Sequence, residues 1–107
     1  MAFYELRQYK VLPGKMDAWI ALMESEIIPY QVSKGMVICG SFRHETDDSV
    51  YIWIRRFDNE EQRKQLYQAV YEAPFWKEQM APKIPEYLDR SAMVVQRIVP
   101  TSLSILQ

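Results

Sequence analysis

Few side chains in this sequence are suited to chemistry, so each can be weighed in turn. His44 is the only histidine and the only side chain whose ordinary pKa lies near neutrality, which makes it the first candidate for a general acid or base. Tyr9 is a second candidate for proton transfer. Arg55 shares a segment with Tyr51, Trp53 and Phe57, and its fork could hold a carboxylate or phosphate through two parallel hydrogen bonds. It could equally pair with Glu5 or stack on Trp53 for structural reasons, and both readings stand. Glu5 with Arg7 could orient a ligand, although a cross-strand ion pair is the ordinary role of such residues. Cys39 has no base beside it and lies in an apolar run, so it reads as a small core residue rather than a nucleophile. One Cys and one His cannot build a Cys/His zinc site. With no glycine-rich phosphate loop or nucleophile elbow in the chain, the sequence calls for neither metal nor cofactor.

The elements that must position these residues follow from length and pattern. A chain of 107 residues is expected to form a single domain, residues 1–107, with one modest core. Thirteen Lys plus Arg against fourteen Asp plus Glu leave a net charge of −1, which argues against the basic stripe of a nucleic-acid domain. No apolar run reaches membrane-span length and no charged-then-apolar leader opens the chain, so a soluble, cytoplasmic protein is expected.

Phe3 to Leu12 is aromatic and branched without helical period and reads as a strand, broken by Pro13-Gly14. Met16, Trp19, Ile20, Met23 and Ile27 then form the stripe of an amphipathic helix, which Pro29 should kink or end. Met36 to Glu45 and Val50 to Phe57 read as a hairpin around Thr46–Ser49. A second helix is expected to start with Asp58 as N-cap and Glu61 three residues on, its charges from Glu60 to Lys64 facing solvent, and to end near Tyr71. Phe75 and Trp76 fall in a Pro-interrupted helix and read as core, and Arg90 to Val99 is the last strand. The order β-α-β-β-α-β is the split βαβ, or ferredoxin-like, plan: an α+β fold with a four-stranded antiparallel sheet.

Register turns the hairpin into two faces. A two-residue turn at Asp47-Asp48 would set His44 opposite Tyr51, Phe42 opposite Trp53, Gly40 opposite Arg55 and Ile38 opposite Phe57. That register makes a bulky aromatic face in which Gly40 leaves room for a guanidinium, and a slip of one residue would exchange the faces. Glu5, Arg7 and Tyr9 share one side of the first strand, but the sequence does not say which face they join.

The runs Val50 to Ile54 and Ala92 to Val95 are apolar at successive positions, the pattern of strands buried on both faces. Two helices on one side leave the other side bare, so a second copy of the chain is expected to cover it as a two-fold homodimer. The tail, Pro100 to Gln107, could lie across that partner or be disordered.

Tyr4-Glu5-Leu6-Arg7 with Tyr9 and Pro13-Gly14-Lys15 resembles the opening of NIPSNAP-family domains. The resemblance continues through Gly40, Phe42-Arg43-His44-Glu45, Arg56-Phe57-Asp58, the Arg63 helix and Pro74-Phe75-Trp76, and so covers nearly the whole chain. In the third strand the family often carries His and Trp at alternate positions where this chain has Trp53 and Arg55, so that histidine's role does not transfer. The resemblance implies a dimeric α/β barrel, whose relatives include cofactor-free monooxygenases, haem-degrading enzymes and small-molecule binders with ligands between sheet and helices.

These observations lead to a small-molecule binding protein with no cofactor. Phe42, Tyr51, Trp53 and Phe57 would form the walls of its pocket, with His44 and Arg55 orienting a polar or anionic group. The alternatives are a cofactor-free oxygenase-type enzyme using His44 or Tyr9 for proton transfer, and a protein-interaction module.

Overall fold

The computed structural model describes the whole chain, Met1–Gln107. Strand β1 (Phe3–Val11) runs through the Pro13-Gly14 turn, where Gly14 takes the positive φ of 74°, into helix α1 (Met16–Leu22). A π-helical turn (Met23–Ile27) and helix α2 (Ile28–Ser33) follow with no break in the helical path. Pro29 therefore does not end the helix as expected. A proline in a helix lacks an N–H and crowds the preceding turn, and here the wider π turn just before it absorbs the mismatch, with the Ile28 N–H reaching back five residues to the Met23 carbonyl. Gly35, at φ 105°, closes the segment.

Strands β2 (Val37–Arg43) and β3 (Val50–Phe57) form the hairpin, followed by helix α3 (Glu60–Tyr71). The cap of α3 sits one residue later than expected. Asn59, in extended conformation, accepts from the Gln62 N–H at 2.8 Å, and the Gln62 side chain reaches back to the Asp58 N–H at 2.6 Å. A π-helical turn (Phe75–Met80) and a 3₁₀ segment (Ala81–Glu86) carry the two prolines and lead into β4 (Leu88–Ile98).

The four strands form one antiparallel sheet in the order β2-β3-β1-β4, the ferredoxin-like arrangement. Its inner face carries Phe3, Glu5, Arg7, Tyr9 and Val11 from β1 beside Tyr51, Trp53, Arg55 and Phe57 from β3, since Glu5 pairs with Arg55, Arg7 with Trp53 and Tyr9 with Tyr51. On β3 these residues alternate strictly with half-buried ones, as a period of two requires. The larger apolar cluster, including Trp19, Met23, Ile27, Tyr51, Trp53 and Met80, fills one end of the inner face, and Phe3, Met36, Phe57 and Val70 fill the other. No helix is long and apolar enough to cross a membrane.

The hairpin register departs from expectation by one residue. Arg43 pairs with Tyr51, Phe42 with Ile52, Ser41 with Trp53 and Gly40 with Ile54, and beyond a bulge at Cys39 the offset grows to two residues, with Ile38 opposite Arg55 rather than Phe57. Residues 44–49 form a longer loop than the two-residue turn assumed, in which Asp47 Oδ1 accepts from the Ser49 N–H and hydroxyl. A one-residue slip moves a side chain to the opposite face. Phe42 thus lies on the outer face, 54% exposed, and Gly40 makes room for the Phe42 ring rather than for a guanidinium.

Candidate functional site

Arg55 is fully buried, an unusual place for a guanidinium unless its donors and charge are matched. Its two terminal nitrogens are matched from three elements, while Nε has no partner. Nη2 donates to Glu5 Oε1 of β1 at 2.7 Å and to the Tyr67 hydroxyl of α3 at 2.9 Å. Nη1 donates to Gln31 Oε1 of α2 at 2.9 Å and to the Tyr71 hydroxyl of α3 at 2.6 Å. The Tyr67 hydroxyl lies 2.8 and 2.7 Å from the two Glu5 oxygens, to which it donates. The guanidinium carbon also sits 4.8 Å from the Trp53 ring centre and 5.3 Å from that of Tyr67. Burial would raise the Glu5 carboxyl, but Arg55, the Tyr67 hydroxyl and Arg7 outweigh it and hold the group below its ordinary value. Burial, opposed in part by Arg55, pushes the Tyr67 hydroxyl up to about 12, so it stays a neutral donor at neutral pH.

Of the two readings of Arg55, the structural one describes these contacts: it pairs with Glu5 and stacks on Trp53, and it bridges the two apolar clusters. Sequence reasoning missed Gln31, Tyr67 and Tyr71 as its partners. The i, i+4 spacing of Tyr67 and Tyr71, which puts both hydroxyls on one face of α3, was the available signal.

Beside this network lies a cleft of about 320 Å³ between the sheet and the helices, open to solvent on one side. All three tryptophans of the chain, Trp19, Trp53 and Trp76, line it, together with Tyr9, Met23 and Ile27. Trp76, read from the sequence as core, packs against the larger cluster and also lines the cleft. The indole N–H groups of Trp19 and Trp53 are buried with no acceptor in the protein. Arg7 reaches the cleft from β1, its Nε donating to the Tyr9 hydroxyl at 2.8 Å, and exposed Arg90 reaches it from β4.

Of the residues expected to form the pocket, only Trp53 lines this cleft and Arg55 does not, while Tyr9, the second candidate for proton transfer, lines it too. Tyr51 is buried behind it, its hydroxyl 2.5 Å from Ser41 Oγ, and Phe57 belongs to the smaller apolar cluster. Phe42 faces the other side of the sheet. His44 is exposed in the hairpin loop, where its Nδ1 accepts from the backbone N–H groups of Thr46 at 3.1 Å and Asp47 at 2.9 Å. Its role there is to hold the loop. Cys39 is half-buried at the bulge, and burial pushes its thiol up, as suits an inert residue.

An α+β ferredoxin-like sheet with an aromatic cleft under its helices defines the class of fold to which this protein belongs. The family is then settled by sequence: the NIPSNAP family model matches residues 4–104, and the chain belongs to that family. A NIPSNAP family protein from Agrobacterium tumefaciens superposes with a TM-score of 0.87 at 20% identity over 100% of both chains. A second from the same organism, of unknown function, gives 0.88 at 24% identity over 99% of this chain and 94% of that one. An uncharacterised NIPSNAP domain protein from Burkholderia xenovorans gives 0.83 at 16% identity, covering 95% and 97%. Comparison with curated proteins gives no match.

Proposed function

We propose that this NIPSNAP domain, acting as a single unit over residues 1–107, binds a small molecule in the cleft between sheet and helices. The observation that carries the reading is the convergence of all three tryptophans on one open cleft. Its volume lies at the lower end of the ~300–1,000 Å³ typical of small-molecule sites, and its walls are mostly apolar with a few polar groups at defined places. The oxygenase alternative loses its first general base, because His44 lies in the hairpin loop and not in the cleft. The test is a ligand-observed NMR screen of small organic compounds against the purified chain and a Met93→Trp variant, which fills the cleft at its β4 wall. Binding that the variant loses supports the reading. Binding that the variant keeps, or no binding, overturns it.

The outer face of the sheet suits a second copy of the chain. It carries Phe42, Val94 and Ile98, each exposed by 41% or more, around the half-buried Leu6, Ile52 and Ile54. The tail folds toward the same face: the Gln107 main-chain oxygen accepts from the Tyr4 hydroxyl at 2.9 Å and from Arg56 Nε at 2.7 Å. Sedimentation equilibrium of the wild type and of Val94→Lys is the check. A dimer that the substitution weakens supports the pairing, and a monomeric wild type at micromolar concentration overturns it.

A further inference from the structure

The charges and donors around the cleft go beyond small-molecule binding in general, and we propose that the ligand is an organic anion: a carboxylate on an apolar body, held by Arg7 with Arg90 as a second cation at the mouth. The inference rests on the proposed binding function and names its ligand class.

The only charged residues lining the cleft are Arg7 and Arg90. The nearest carboxylate is already committed. Glu5 takes its short ion pair from Arg55 at 2.7 Å and both of its oxygens accept from Tyr67, whereas Arg7 Nη1 stands 3.6 Å from it, beyond a good hydrogen bond. Two guanidinium groups therefore share one carboxylate, and the inner face carries one excess positive charge before Arg90 is counted. Arg90 itself forms no ion pair and is exposed.

The fork of Arg7 is also underused. Only Nε has a strong partner, the Tyr9 hydroxyl at 2.8 Å. Nη1 makes a long contact of 3.4 Å to the Tyr67 hydroxyl, and Nη2 has only the Met93 thioether at 3.5 Å, a weak acceptor. The Arg7 side chain is 15% exposed, so bulk water satisfies little of this. A planar fork with spare donors at the wall of an apolar cleft fits a carboxylate, which can accept two parallel N–H bonds.

The other polar groups supply no competing anion. The Gln31 carbonyl oxygen is taken by Arg55, and the indole N–H groups of Trp19 and Trp53 are buried. Arg7 and Arg90 therefore call for a ligand that brings acceptors and negative charge. Trp53, Trp76, Met23 and Ile27 supply apolar wall for its body.

Because every tryptophan lines the cleft, the three indole N–H resonances of the ¹⁵N-labelled protein report on it. The experiment titrates 4-phenylbutanoate, octanoate and 2-naphthoate, each beside its neutral amide, into the full chain, into Arg7→Met and into Arg90→Met. The expected result is that acids shift the indole resonances with at least about tenfold higher affinity than their amides, the scale of one charge-assisted hydrogen-bond pair. Arg7→Met should abolish that preference and Arg90→Met should reduce it. Arg90 is exposed, so its variant remains informative if Arg7→Met fails to fold. Equal binding of acid and amide overturns the anion inference while small-molecule binding stands. If no compound moves an indole resonance, the binding function itself falls.

Discussion

Arg55 and Glu5 stand directly opposite one another on adjacent strands, with Nη2 of the guanidinium 2.7 Å from a carboxylate oxygen and both side chains almost wholly buried. Along β3 the pair falls between Trp53 of the larger apolar cluster and Phe57 of the smaller one. Removing Glu5 leaves Arg55 charged and buried without a carboxylate, and removing Arg55 leaves Glu5 only the longer 3.6 Å contact with Arg7, at a cost of about 3–5 kcal/mol. Arg55→Met and Glu5→Gln should each lower the urea midpoint of unfolding by that much stability. The double variant should lose less than the sum of the two, because the second substitution removes the charge that the first left stranded. Additive losses would show that the two residues act independently.

Acid should weaken this fold through the same carboxylate. Arg55, Tyr67 and Arg7 hold the folded Glu5 pKa below the ordinary 4.5 despite burial, so between the two values the unfolded chain binds more protons than the folded one. The stabilisation is complete above the ordinary value and is lost as pH falls through the folded one. Urea midpoints should be flat from pH 7 to about 5 and fall below about 4.5. Glu5→Gln should start from a lower plateau with a shallower acid slope, the difference between the two curves isolating Glu5 from other acids such as Glu60, held at about 2 by Arg63 and Arg97 against the opposing effect of desolvation.

The packing of the Phe42 ring over Gly40 can be tested directly. A Cβ at this position would clash with the edge of the Phe42 ring, 2.8 Å from Cζ. Gly40→Ala should cost up to about 1 kcal/mol, because the exposed ring must leave its place over Gly40 to admit the methyl group. Adding Phe42→Ala should recover most of the loss, because the obstructing ring is gone. Without recovery, the ring does not lie over Gly40.

His44→Ala should leave ligand binding unchanged. Its Nδ1 accepts two backbone N–H groups of an exposed loop, so the loss in stability should be no more than about 0.5–1 kcal/mol. Indole titration of this variant checks the point, and a tenfold loss of affinity would return His44 to the binding site.

The order of elements was legible because each carries its own local signal. Phe3 to Val11 has the composition of a strand, and Met16, Trp19, Met23 and Ile27 repeat at helical spacing, as their burial confirms. The sharing of one side by Glu5, Arg7 and Tyr9 was likewise readable from the two-residue period. The face of the hairpin was not. Whether Phe42 or Ser41 sits opposite Trp53 depends on loop length and on a bulge at Cys39, and no local preference distinguishes the two registers.

The sequence by itself determined the βαββαβ order, the family and the residues able to carry charge or stack, because periodicity, turn chemistry and residue type act over a few neighbours. Only the tertiary structure decided that Arg55 is consumed by Glu5, Gln31, Tyr67 and Tyr71, leaving Arg7 as the guanidinium with donors to spare. That allocation depends on residues up to 50 positions apart meeting across three elements. A buried charge takes the best partners that packing brings to it, and packing is a property of the assembled fold.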